Sequence, residues 1–380
     1  MKIAYCTNGI CFLGGISLVT IHKANALAEV EGNEVYVCVS DHFKSDVASR
    51  LSNKVTLVDL NIDYSKDDWK SPWHLMVANT FKRWRHKKRL AQALRAINPD
   101  IVISTSLSEK YMVADIKGPW KRVREFHLPT DYRKHVSTGF VGRLKARINE
   151  IYDLKWKNRA YDRVVVLTNE DKELNWRGEG HVRVIPNPLG EKMEESAPLT
   201  NKKIITVGRL EPQKNHGSLI RAFRKVADVH PDWTLEIYGV GSLQNRLQTL
   251  INELGLQENV FLKGATLTPQ KEILASSVFV LTSVYEGFGV VLTEAMQCGV
   301  PVVSYDCPCG PKDIITDGVD GFLVPSGDET ALAEKICRLI DDPTLRRQMG
   351  ASAKQATAKY DIENIRGLWM QLFRELVGDK

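Results

Sequence analysis

The 380 residues, 43% hydrophobic and 26% charged, exceed what one core usually supports and describe a globular chain of two ordinary domains, not a fibrous or disordered one. No apolar run reaches the roughly 20 residues that span a bilayer, and the start MKIAYCTNGI lacks a secretion signal's charged region and long apolar core, so the expected compartment is the cytosol. Seven cysteines, odd in number and scattered, suit reduced thiols; the one close pair, Cys307-Pro-Cys309, has no partners at zinc spacing, and no metal is expected.

KIAYCT and NEVYVCVS are short β-rich runs joined by LVTIHKANALAE, whose apolar residues recur at helical spacing, which makes a β-α-β unit. A basic region follows. Between residues 70 and 165 stand 22 Lys or Arg against 8 Asp or Glu, a local +14 in a chain of net +6. In FKRWRHKKR, Phe81 and Trp84 interleave with Lys82, Arg83, Arg85, Lys87, Lys88 and Arg89, a mixture that suits an anionic membrane surface met through residues 82–147. A plainly solvated basic face is the alternative reading. Nucleic acid is not expected, because no helix-turn-helix, RNA-binding aromatic or zinc-finger signature accompanies the charge.

DIVIST (100–105) and RVVVLT (163–168) are continuous apolar runs of the kind found in parallel sheets buried on both faces. FVGRLKARINEIYDLKWKNRAY between them reads as helix. At 186–202 the pattern breaks into a polar, proline-bearing linker. The alternation then restarts: KIITVGRL, a helix from about 215 to 230, WTLEIYGVG, a helix to about 254, VFLKG, a short helix, VFVLTS, a helix from about 290, and VPVVSYD. Two successive strand and helix runs imply two doubly wound α/β domains with a cleft between them. ENIRGLWMQLFREL is a final amphipathic helix, expected to pack back on the first domain.

The unusual residues of the second run fall where strands end, at the edge where open α/β sheets bind ligands. After IITVG come Arg209 and Lys214 and then a helix; two cations near a helix N-terminus make an anion site, suited to phosphate. Gly239 and Gly241 allow close backbone approach. In EGFGVVLTEAMQCGVPVV, Glu286 ends a strand, Gly287 and Gly289 turn the chain, and Glu294 leans back from one turn inside the next helix. Two carboxylates beside a phosphate site make sense if they accept hydrogen bonds from neutral hydroxyls, as when a carboxylate grips a ribose diol. A sugar joined to a nucleotide diphosphate supplies both parts.

These stretches resemble the retaining glycosyltransferases of the GT-B fold usually called family 4, or glycosyl transferases group 1. The family's C-terminal fingerprint is matched by VGRLEPQKN, YGVG, EGFGVVLTEAMQCGVPVV and CGPKDIITDGVDGFLVPSGD, in order. GGISLVTIHKANALAE resembles its glycine loop and first helix, and REFHLP its segment with a functional histidine. The resemblance implies two Rossmann-like domains facing each other across a cleft: residues 1–190 for the acceptor, joined by the C-terminal helix from about 358 to 380, and 201–357 for the nucleotide sugar. It implies that Arg209 and Lys214 bind the donor diphosphate and offset leaving-group charge. Glu294 would hold the ribose and Glu286 the transferred sugar. The backbone at Phe288, Gly289 and Val290 would approach sugar or phosphates, and Gly239 and Gly241 would line the donor site. Gly14 and Gly15 would approach the diphosphate from the first domain, and His127 would lie beside the sugar.

The implied reaction is retaining transfer of a hexose or N-acetylhexosamine from a nucleotide diphosphate sugar, without metal or other cofactor, to a lipid-linked glycan acceptor of surface polysaccharide or lipopolysaccharide assembly. The enzyme would be cytoplasmic and peripheral on the inner membrane face. DCPCGP resembles segments of members that use UDP-sugars. The sequence departs from the family pattern at Ile16-Ser17, where an acidic residue is common, at Cys309, where Gly or Ser is usual, and at Asp313, where the family carries Glu. A GDP-mannose-dependent mannosyltransferase, a UDP-sugar epimerase of the same fold and a non-catalytic sugar-nucleotide-binding subunit are the competing readings. A dinucleotide dehydrogenase is disfavoured, because CTNGICFLGG does not supply G-x-G-x-x-G after the first strand.

Overall fold

The computed structural model describes residues 1–9, 15–41, 48–64, 72–105, 109–136, 139–152, 158–190 and 192–378, and of residues 48, 72–79, 135, 136 and 150 the backbone alone. The chain divides into two compact units: Met1–Leu167, Leu174–Gly190 and Ile362–Lys380 form the first, and Thr168–Glu173 and Glu191–Asp361 the second.

In chain order the first run holds β1 (Lys2–Thr7), α1 (Gly15–Ala28), β2 (Glu34–Val39), β3 (Val55–Asp59), α2 (Pro72–Ile97), β4 (Ile101–Ser104), α3 (Glu109–Asp115), β5 (Lys121–Glu125), α4 (Tyr132–Val136), α5 (Gly139–Ile151), β6 (Arg163–Val166), α6 (Asn169–Asn175) and β7 (Val182–Val184). Its seven strands lie in the order β3-β2-β1-β4-β5-β6-β7 and every pairing is parallel. Parallel strands joined by crossover helices must be covered on both faces, and β1 shows how. Ile3 and Tyr5 enter the core that contains α1, whereas Ala4 and Cys6 enter the one that contains Leu90 and Leu94 of α2.

The second run holds β8 (Lys203–Val207), α7 (His216–Val229), β9 (Thr234–Tyr238), α8 (Gln244–Glu253), β10 (Val260–Gly264), α9 (Pro269–Leu274), β11 (Val278–Leu281), α10 (Val290–Gln297), β12 (Val302–Tyr305), α11 (Pro311–Ile314), β13 (Gly321–Val324), α12 (Glu329–Asp341) and α13 (Pro343–Ala356). Six parallel strands lie in the order β10-β9-β8-β11-β12-β13. The core beside this sheet gathers Phe223, Trp233, Leu235, Ile237, Val278 and Val280.

The last helix, α14 (Ile362–Val377), belongs to the first unit. Ile365, Trp369, Leu372 and Phe373 repeat at helical spacing and join the α1 core. The described cysteines are free thiols, and no described helix is long and apolar enough to cross a membrane.

The basic stretch of α2 is not all surface charge. Lys82 donates to the Asp63 carbonyl at 2.5 Å, Arg85 to that of Asn61 at 2.8 Å, and Arg89 to those of Leu60 and Asn61 at 2.8 and 2.7 Å. Asn61 and Asp63 have φ of 49° and 56°, so their left-handed turn presents these carbonyls to the helix. Lys87 pairs with Asp115 at 3.1 Å. Much of this positive charge therefore fastens α2 to the segment after β3.

Candidate active site

In the second unit the strand order reverses between β8 and β11, and such a switch point opens a crevice beyond the carboxyl ends of the two strands. The loops leaving β8 and β11 meet there. The Val284 amide donates to the Gln213 carbonyl at 2.8 Å, and Gln213 Nε2 donates to the Tyr285 carbonyl at 3.0 Å. Thr282 Oγ1 lies 3.1 and 3.2 Å from the carbonyls of Lys214 and Asn215, to which it donates. Asn215 takes a left-handed φ of 51°, which ends the Pro212–Lys214 turn and starts α7.

This knot brings Lys214 and Glu286 together. Lys214 Nζ lies 2.6 Å from Glu286 Oε1, with side-chain exposures of 16% and 8%. The Ser283 hydroxyl donates to the same oxygen at 2.5 Å. Arg209 is exposed beside them, its Nη2 donating to Gln213 Oε1 at 3.3 Å. The Glu286 amide donates to the Pro308 carbonyl at 2.8 Å, which ties this loop to the segment after β12. Phe288 is buried edge-on against Tyr360, ring centres 5.3 Å apart. Gly289, at φ 96°, then opens α10, whose first amides, that of Val290 included, have no partner within the helix.

Glu294 stands one turn into α10 in different surroundings from Glu286. It is part-buried, and its hydrogen-bond donor is Gln270 Nε2 at 3.4 Å. Burial pushes its carboxyl up to about 7. Gly239 and Gly241 have a packing reason of their own. A Cβ on Gly239, at φ 149°, would lie 1.9 Å from the Gly208 carbonyl oxygen, and one on Gly241 would lie 2.4 Å from that of Leu210. At these glycines the chain approaches itself closely, pressing the turn after β9 onto the turn that carries Arg209.

In the first unit, Gly15 begins α1, and a Cβ there would meet nothing within 4 Å among the described residues. Gly14 lies outside the described residues. His127 follows β5 and is 9% exposed, its Nε2 3.6 Å from Glu125 Oε1. Glu125 also takes the ammonium of Lys23 from α1. No cluster of three or more His, Cys, Asp or Glu is placed to hold a metal ion among the described residues.

The chain is similar to known proteins. The family described as "Glycosyl transferases group 1" matches residues 191–356. An uncharacterized glycosyltransferase of Haemophilus influenzae is 30% identical over 373 residues, which cover 97% of this chain and 98% of that protein. The chain belongs to the glycosyl transferases group 1 family. An exopolysaccharide phosphotransferase of Streptomyces coelicolor is 36% identical over 297 residues, 76% of this chain but 30% of its own length. The chain spans less than two thirds of the length of several curated relatives, the Streptomyces protein among them. Anabaena HepE, solved in complex with UDP and glucose, superposes with a TM-score of 0.76 at 20% identity, over 99% of this chain and 100% of that one. That likeness bears on the fold, two Rossmann-like domains of the GT-B kind.

For a group 1 chain the departure at Asp313 has a local explanation. The Asp313 carboxylate accepts from the amides of Asn169 and Glu170 at 2.8 and 3.1 Å and from Asn169 Nδ2 at 3.0 Å, all within the second unit. Sequence reasoning missed Ser283, Gln213, Lys23 and Glu125. The first two are ordinary loop residues with no signal in a single chain. Lys23 had one: a lone cation inside the apolar pattern of α1, between Ile21 and Ala24, asks for a buried partner.

Proposed function

We propose that this chain is a retaining glycosyltransferase that moves a hexose or N-acetylhexosamine from a UDP-sugar to a lipid-linked glycan acceptor in the assembly of surface polysaccharide or lipopolysaccharide. The observation that carries the reading is the Lys214–Glu286 pair, 2.6 Å apart at the switch point between β8 and β11. A diphosphate bound there meets Lys214, Arg209 and the first amides of α10. Lys214 then exchanges a carboxylate oxygen for a phosphate oxygen, and Glu286 is released to accept from sugar hydroxyls. Glu294 takes the ribose diol, the backbone at Phe288, Gly289 and Val290 approaches the phosphates, and Gly239 and Gly241 shape the turn beside them. Gly14 and Gly15 act on the diphosphate and His127 on the sugar.

In the proposed step the bond from the sugar's C1 to the phosphate oxygen breaks, its electron pair leaving with the phosphate, where Lys214 and Arg209 offset the charge. The acceptor oxygen bonds to C1 on the face the nucleotide leaves, and its proton passes to the departing phosphate. This differs from a paired-carboxylate hydrolase, in which one carboxylate forms a covalent intermediate. Uridine is supported by the DCPCGP segment and by the UDP found in the structurally similar Anabaena protein. Titration calorimetry with UDP, GDP, ADP and their sugar conjugates tests the reading. We expect selective binding of UDP and a UDP-sugar, lost in Glu294→Gln; preference for GDP, or no nucleotide binding, overturns it.

The proposed acceptor and its setting at the inner membrane face draw support from α5. Phe140 and Val141 are 83% and 77% exposed, and Leu144, Ile148 and Ile151 continue the same helical face. At 100° per residue, Arg143 and Arg147 flank one side of this apolar arc and Lys145 the other, the pattern of a helix lying in an anionic interface. Ala146 on the opposite face is buried.

A further inference from the structure

Lys23, Glu125 and His127 form a buried polar cluster in the first unit. The side chains of Lys23 and Glu125 are each 1% exposed, and that of His127 is 2% exposed. Burying an ion pair costs several kcal/mol per charge before the pair's attraction offsets it. A Met and Leu pair would fill comparable space without that cost, so stability alone does not account for the charges.

The surroundings are specific. Lys23 lies within α1, two turns from Gly15, and its ammonium stands 5.3 Å from the Trp369 ring centre of α14. Tyr5 of β1 faces Glu125, and its hydroxyl is held neutral by burial and by that carboxylate. Burial raises the Glu125 carboxyl, but its neighbours, Lys23 foremost, outweigh it and keep the group ionised. Burial lowers the Lys23 ammonium, and Glu125 opposes it. The pair therefore ties α1, the helix that Gly15 begins, to the segment that carries His127. Among the described residues both ring nitrogens of His127 and Glu125 Oε2 lack hydrogen-bond partners, and Nε2 has Glu125 Oε1 as its neighbour at 3.6 Å. These atoms keep the capacity to bond a hydroxyl group.

We propose that Lys23 and Glu125 are positioning residues for His127: the Glu125 carboxylate, held in place by Lys23, keeps the ring with Nε2–H toward Oε1, which leaves Nδ1 to accept from a hydroxyl of the donor sugar. This rests on the glycosyltransferase reading and adds to it that the sugar is gripped through a fixed tautomer. Lys23 and Glu125 touch no substrate. Their work is to hold a ring that does, and a small misplacement of such a group costs up to about 100-fold in rate.

The experiment compares the full-length wild type with Glu125→Gln, the paired Lys23→Met/Glu125→Leu variant, His127→Ala and the triple combination. Four readouts are followed: thermal midpoint, calorimetric affinity for UDP and for UDP-glucose or UDP-N-acetylglucosamine, the rate of UDP release from those donors, and ring-nitrogen NMR of labelled histidine. Removing both charges together avoids a lone buried ion, so the paired variant keeps the wild-type midpoint or exceeds it. We expect its UDP affinity to stay within about twofold while UDP release falls about 10- to 100-fold, as in His127→Ala. The triple variant falls no further, since groups acting as a unit are not additive. In Glu125→Gln and in the paired variant the His127 ring signals lose the Nε2–H pattern.

A paired variant that releases UDP at the wild-type rate, or losses that add to those of His127→Ala, overturns the inference while leaving the glycosyltransferase reading intact. So do unchanged His127 ring signals, whatever the donor results. Wild type that binds neither UDP nor a UDP-sugar overturns the functional reading and the donor half of this inference together.

Discussion

At the scale of single residues, the chemistry of the site is set by what each charge has for company. Lys214 is held against Glu286, whose same oxygen also takes the Ser283 hydroxyl, before any ligand arrives, so no side chain must travel far to present an ammonium to a phosphate. We expect Lys214→Met to lower transfer about 100- to 1,000-fold, as loss of one preorganised donor to a developing anion does, with a smaller change in donor KM; steady-state kinetics checks this. Glu294 makes a pH prediction with a definite sign. Its folded carboxyl is raised to about 7 by burial, so the native state binds the proton more tightly than the unfolded chain. Stability falls as pH rises from the ordinary carboxyl range to about 7, and the penalty is fully present above it. Glu294→Gln, which cannot ionise, is expected to match wild type near pH 4.5 and exceed it at pH 8 by about 1–2 kcal/mol, a value discounted because the side chain is only part-buried. Denaturant unfolding at the two pH values tests the sign. The same variant is expected to lose affinity for UDP-sugar, which would mean that the carboxylate is kept at the expense of stability.

At the scale of elements, α14 and α5 carry the same kind of amphipathic pattern to opposite ends. The apolar stripe of α14 is buried: Trp369 is 1% exposed and packs on Phe373 at a ring distance of 5.6 Å. Trp369→Ala should destabilise the first unit by about 3–5 kcal/mol, measured by denaturant midpoint, with UDP binding in the second unit retained below that midpoint. The stripe of α5 is exposed. Phe140→Glu with Leu144→Glu is expected to reduce sedimentation with anionic phospholipid vesicles at least about tenfold, without changing UDP affinity or the thermal midpoint. Wild type that sediments equally with neutral and anionic vesicles would remove the membrane from the proposal. Charge reversal in α2 is a poorer test, because Arg85 and Arg89 hold the carbonyls of Leu60 and Asn61 and their loss would loosen the fold.

At the scale of the whole molecule, two units with separate sheets and cores need not unfold together. A ligand that binds one folded unit stabilises that unit by mass action, about 2.7 kcal/mol at a hundredfold excess over Kd. UDP should therefore protect Glu191–Asp361 from limited proteolysis and raise its transition, and hydrogen exchange would locate the protection. Equal protection of β1 to β3 by UDP alone would contradict placing the nucleotide in the second unit.

Much of this was legible in the chain itself. Continuous apolar runs between helical ones imply buried parallel strands, because a strand covered on both faces has no polar side to show. The fingerprint after the linker, with Arg209, Lys214, Glu286 and Glu294 at strand and helix ends, follows from local backbone rules that act over a few residues. Tertiary structure alone decided who meets whom. The order of strands puts β8 beside β11, and Lys214 and Glu286, 72 residues apart, become an ion pair. Lys23 and Glu125 meet across 102 residues, and the Arg85 and Arg89 charges turn inward to backbone carbonyls. Local propensity and periodicity carry no information about such pairings, because hydrogen bonds and desolvation act through space and their partners exist only after the sheets have assembled.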